Sequence, residues 1–173
     1  MILVVETGAG LPDANSYISN NDAIGALPSA VVKEWNLLDA DERVDRLVAA
    51  SQFIDRTFIW IGKQKTFTQG LAWPREGVIY QGHPVPDDIV PKAIGRACIM
   101  ALLLIHEQGI EVFQSTGEAM IKKEKFAVME TEYFAPGYYA EFKSKYEDMN
   151  NLLRGFYTAP TGGNLVIAEV LRA

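Results

Sequence analysis

The sequence is poor in the residues from which most site chemistry is built. It holds one cysteine, Cys98, and two histidines, His83 and His106. A single cysteine forms no internal disulfide, so the chain does not read as a stapled secreted domain. Two histidines and a cysteine at unrelated positions give no zinc-ligand spacing. Long apolar runs are missing too. The longest, Ala97 to Ile105, has nine residues, against the roughly 20 needed to span a bilayer. Met1 to Glu6 is apolar, but it is too short for a signal peptide and lacks a basic leading region. There is no Gly-x-Ser-x-Gly elbow and no Walker phosphate loop. Repeats and low-complexity tracts are also absent. These gaps argue against an enzyme, a metal protein and a membrane protein. The expectation is a protein of the cell interior or of a virion, with no catalytic, cofactor-binding or metal-binding residues.

Basic charge is in short supply. Sixteen Lys and Arg stand against 22 Asp and Glu, giving a formal net charge of -6 and a pI near 4.9. Proteins that grip phosphates usually carry a basic face, so this balance weighs against DNA binding as the main task. What is abundant is apolar material, at 49% of 173 residues, enough for the core of one domain.

The pattern predicts a mainly α fold: a small helical bundle of three main helices, a long loop, a β-hairpin or extended arm and an extended C-terminal tail. A loop or arm, Glu6 to Ser19, leads into a short helix from Asn20 to Leu27 that stops before Pro28. The first strong helix begins at Asp39, where Asp39 and Glu42 have capping-box spacing. Val44, Leu47, Val48, Ser51, Ile54 and Phe58 form its apolar stripe. Residues Ile61 to Asp88 lack periodicity and read as a long loop, a length that is often functional or tightly packed. The second strong helix starts near Pro91 and stops at Gly109. It is apolar nearly all round, as in a core or a subunit interface.

Glu118 to Phe134 reads as a strand or hairpin. A third helix runs from about Tyr138 to Arg154, ended by Gly155. Tyr139, Phe142, Tyr146, Met149 and Leu153 share a face, and Glu141 and Lys145 have i,i+4 spacing. Asn164 to Leu171 is β-prone. One domain, 1–173, is expected: a helical core half (6–109), a strand or arm (110–137), a helix (138–155) and a C-terminal tail (156–173).

Individual residues mostly favour structural readings. Cys98, inside an apolar helix, reads as a small core residue. His106 sits in the last helical turn, where positive charge is favoured, and His83 has no evident partner. Gly8-Ala9-Gly10 resembles a glycine-rich turn but lacks the strand-loop-helix setting of a nucleotide site. Asp87 and Asp88 precede a helix, whose dipole accounts for them. Lys122, Lys123 and Lys125 form the tight basic cluster. They suit either a solvated strand edge or a contact with DNA or an acidic partner.

At Gln69-Gly70-Leu71-Ala72-Trp73-Pro74-Arg75-Glu76-Gly77-Val78 the chain resembles a tailed-phage family. That family goes by the label DnaT-like single-stranded-DNA-binding protein, and its members look like head-to-tail connector (adaptor) subunits. Asp13-Ala14-Asn15-Ser16-Tyr17-Ile18, Trp35, Phe53-Ile54-Asp55 and Pro86-Asp87-Asp88-Ile89-Val90-Pro91 carry the resemblance through residues 6 to 109. Asn20-Asn21-Asp22-Ala23 departs from it, because a longer helix with an aromatic residue is expected there. The resemblance implies a homo-oligomeric ring, expected to be dodecameric, in the virion neck between capsid portal and tail, made in the host bacterial cytoplasm. Its expected partners are the portal protein and neck, tail-terminator or stopper proteins. Genomic DNA would pass through the channel without sequence-specific binding, and no membrane is involved. Twelve copies would carry about -72 in formal charge, which would help DNA slide if part of it lined the channel. The candidate partner surface comprises Trp73, Arg75, Lys122, Lys123, Lys125, Asn164, Leu165, Val166, Ile167, Val170 and Leu171. Trp73 can alternatively anchor the loop on the protein's own helices, and Arg75 can pair with a carboxylate. The other reading is single-stranded-DNA binding, with Phe126 and Tyr133 stacking bases beside the three lysines.

Overall fold

The computed structural model describes residues 1–108 and 136–158. Five helices stand among these residues: α1 (Asn20–Ala26), α2 (Ser29–Trp35), α3 (Ala40–Thr57), α4 (Lys92–Gln108) and α5 (Pro136–Leu153). Helix α3 packs on α4, α4 on α5, and α1 on α3. The three long helices are those expected from periodicity, so the fold is mainly α.

Local chemistry explains where the helices begin. Asp39 accepts from the Glu42 amide at 2.7 Å while Glu42 reaches back to the Asp39 amide at 3.1 Å. This is the reciprocal box that satisfies two orphan donors. Ser19 and Asp22 form a second box, which starts α1. Helix α2 lies in a stretch read without structure. It is only seven residues long and has little periodicity, but its last residue, Trp35, is fully buried with its indole N–H bonded to Asn20 Oδ1 at 2.9 Å. Burial of one large aromatic fixes a helix too short to persist alone.

The apolar stripe of α3 is buried from Leu47 to Ile54, and Phe58 caps it. Helix α4 supplies Ile94, Ala97, Cys98, Ala101, Leu102, Leu104 and Ile105 to the core, each large side chain contributing about 1.5–3 kcal/mol. Cys98 is a buried free thiol, raised well above its ordinary pKa by burial. From α5, Met149 and Leu153 join the core. The chain turns at Gly155, whose φ of +99° is the left-handed conformation that glycine tolerates. Lys145 bonds Glu107 on α4.

The long loop is not structureless. It holds two small antiparallel hairpins, β1 (Lys63–Gln64) with β2 (Arg75–Glu76), and β3 (Ile79–Tyr80) with β4 (His83–Pro84). Strands of two residues are too short to show alternation. The expected hairpin at 118–134, the stop at Gly109 and the C-terminal tail beyond Thr158 lie outside the described residues.

Candidate functional site

The most organised part of the molecule is the seat of the Trp73 loop. Asp55, near the end of α3, is a largely buried carboxylate. It accepts from Tyr17 Oη at 2.8 and 2.9 Å, from Trp60 Nε1 at 3.2 Å and from the Ala72 amide at 2.9 Å. Tyr17 Oη in turn accepts from the Trp73 amide at 3.0 Å. One carboxylate and one phenol thus tie the N-terminal arm, α3 and the loop together. Burial raises the Asp55 pKa above its ordinary value, opposed by these hydrogen bonds and by the charge of Arg75. Burial also drives the Tyr17 pKa far up, so the phenol stays protonated and donates.

Trp73 is fully buried. It makes edge contacts with Trp60 and Phe156 at centroid distances of 5.9 and 5.8 Å, and the Trp73–Pro74 peptide is cis. Its indole N–H is buried without a hydrogen-bond partner among the described residues. Arg75 is half-buried. Its guanidinium donates to the carbonyls of Ile61 and Gly62 at 2.7 Å each, of Ala72 at 3.1 Å and of Trp60 at 3.5 Å. Burial lowers its pKa. The expectation that Trp73 and Arg75 present a partner surface is therefore corrected. One has no exposed face, and the other is a fork clamped on four backbone carbonyls. Both are internal anchors, and among the described residues Arg75 makes no bidentate pair with a carboxylate.

The glycine turn has a comparable use. The Gly8, Gly10 and Leu11 amides all donate to the buried Glu6 carboxylate, at 2.8–2.9 Å. Successive amides of this kind form an anion nest, and here the anion belongs to the chain itself. A Cβ on Gly8 would lie 2.0 Å from the Asp88 carbonyl oxygen, so no larger residue fits without movement. Lys65 and Thr66 close the turn from outside, reaching the carbonyls of Gly8 and Gly10.

His106 is structural. Its Nδ1 lies 3.1 Å from Arg46 and its Nε2 2.9 Å from Glu34. Arginine only donates, so Nδ1 accepts and the Nε2 proton bonds the carboxylate. His83 is exposed in β4. Among the described residues no group of three His, Cys, Asp or Glu could hold a metal ion, and no helix is long and apolar enough to cross a membrane. Lys122, Lys123, Lys125, Asn164, Leu165, Val166, Ile167, Val170 and Leu171 lie outside the described residues.

What the sequence reading missed is how its recognisable blocks meet. Tyr17, Asp55 and Trp73 come from three of them, far apart in the chain. The available signal was a tyrosine and an aspartate beside apolar positions, residues that need partners once buried.

The described residues thus define a small helical bundle whose long loop is pinned by a buried polar hub. The family model described as "Putative DnaT-like ssDNA binding protein" matches residues 1–173, and the chain belongs to that family. No curated protein and no solved structure matches it.

Proposed function

We propose that this protein is a head-to-tail connector (adaptor) subunit of a tailed bacteriophage, a non-enzymatic part of the virion neck. In this reading a ring of copies joins the portal to neck, tail-terminator or stopper proteins and lets the genome pass. The observation that supports it best is a contrast. The recognisable loop is locked inward, yet Phe67 at the far end of the same loop is 100% exposed. In this reading that ring is apolar surface for a neighbouring subunit to cover. The resemblance of residues 6–109 to connector subunits supplies the kind of contact, and the acidic total suits a channel that DNA slides through. The C-terminal segment Asn164 to Ala173 is the candidate for docking on the portal by adding a strand.

Electron imaging or native mass spectrometry of the purified protein with its portal tests the reading. A ring seated on the portal is expected. A monomer that never joins it would sink the proposal. Deleting 164–173 should leave the helical fold unchanged by circular dichroism and abolish docking. If docking persists, the tail is not the contact.

The second reading, a single-stranded-DNA-binding module, has the family's description behind it. Lysines flanking an exposed aromatic are what such modules use, and Phe67 stands close to Lys63 and Lys65. Salt-dependent binding of an oligo-dT strand at micromolar concentrations or below would favour it over the connector.

A further inference from the structure

We propose that His106 is a proton-operated exchange point between two helices. Neutral, it joins Arg46 of α3 to Glu34 of α2. Protonated, it lets Arg46 go and grips Glu34 more tightly, so acid fastens α2 to the end of α4.

The geometry leaves one arrangement for the neutral ring. Nδ1 lies 3.1 Å from a terminal nitrogen of Arg46, and Nε2 lies 2.9 Å from Glu34 Oε2. A guanidinium has no lone pair to offer, so the Arg46 bond exists only while Nδ1 is bare. An imidazolium donates from both nitrogens. With a proton on Nδ1, two donors and two positive charges would meet at 3.1 Å, and the Arg46 side chain has to swing away. Arg46 is half-buried, so solvent is within its reach.

The Glu34 bond responds in the opposite sense. A neutral N–H on a carboxylate becomes an ion pair at the same contact, which adds a Coulombic attraction. The imidazole is 10% exposed and the carboxylate 69%, so solvent screens part of the gain. Beside His106 on α4, Glu107 pairs with Lys145 of α5. Asp45 and Lys33, the chain neighbours of Arg46 and Glu34, are both exposed.

Helix α2 is the element on which such a grip tells. It has seven residues and starts at Pro28 without a side-chain cap. That is far below the roughly 12–15 residues that hold a helix alone in water. Its anchors among the described residues include Trp35, bonded to Asn20, the partly buried Val31 and Val32, and Glu34 on His106. Of these, the Glu34 bond is the one that responds to pH between about 5 and 8, where an imidazole changes charge.

The test uses the full chain and reads α2 locally, because losing Arg46 and gaining at Glu34 oppose each other in global stability. Nitrogen-15 spectra of the ring are expected to show a proton on Nε2 alone at about pH 7.5 and on both nitrogens at about pH 5.5. The amides of Val32, Asn36 and Leu38 bond the carbonyls of Pro28, Val32 and Trp35. Their hydrogen exchange, divided by the intrinsic rate at each pH, should slow about threefold at the lower pH. Glu34→Gln, at an exposed site, keeps an acceptor and removes the charge. His106→Gln keeps a donor and an acceptor and does not titrate. Both should lose the slowing. In Arg46→Gln the slowing should persist, and the ring should take its proton at higher pH than in wild type. A slowing of full size in Glu34→Gln would trace it to another group and overturn the proposal. So would a ring titration unchanged in Arg46→Gln, a neutral ring with its proton on Nδ1, a ring still neutral at the lower pH, or equal wild-type protection at the two pH values.

Discussion

Asp55 decides how the N-terminal arm, α3 and the loop are joined, and its titration gives the join a pH signature. Its pKa is raised by burial, so the folded state holds the proton more tightly than the unfolded chain does. The associated stability is fully present below the ordinary carboxylate value of about 3.9 and is lost as pH rises through the raised value. This runs against the usual trend of hydrogen-bonded carboxylates such as Asp22, whose pKa is lowered by Ser19. Asp55→Asn keeps an acceptor oxygen and removes the titration. The stability of the variant relative to wild type should therefore climb between pH 4 and pH 7 in urea melts. Parallel curves would show that Asp55 ionises without penalty. Much at this scale was legible beforehand. Cys98 and His106 are structural as their helical settings implied, and Asp39 caps as its spacing with Glu42 required. The hub was not, because hydrogen bonds between positions 17, 55, 60, 72 and 73 leave no periodic trace.

Among the elements, the helices with a stripe were readable and the elements held by single residues were not. Helix α3 announces itself through its cap and its three- and four-residue apolar steps. Helix α2 depends on Trp35, and the β1–β2 hairpin depends on bonds from the side chains of Arg75 and Gln69. Arg75 bridges the segment after α3 to the Trp73 loop through a planar fork, which lysine cannot reproduce. Arg75→Lys should cost about 2 kcal/mol in chemical denaturation, with helix content retained in the native state. An unchanged midpoint would mean that the carbonyls are served as well by water. Of the candidate partner surface, the structure describes Trp73 and Arg75, and the alternative that Trp73 anchors its own loop is the one it bears out. The most recognisable residues, Trp73 and Arg75, are turned inward, while Phe67, which has no motif around it, is turned out.

At the scale of the molecule, the arrangement separates holding from meeting. Buried aromatics and the hub hold the domain together. Phe67, fully exposed, takes part in neither. The segment after α5 folds back, with the Ile61 amide bonded to the Phe156 carbonyl and the Thr158 amide to the Ile59 carbonyl. The turn around Glu6 adds a different property. It is a receptor whose ligand is tethered by one residue, so occupancy is guaranteed by effective concentration rather than by affinity. Cutting away that ligand turns a structural motif into a sensor for small carboxylates. Glu6→Ala should be less stable than wild type and should regain part of the loss in acetate, in proportion to the logarithm of concentration once the nest fills. Wild type, its nest already occupied, should gain nothing in matched chloride and acetate melts.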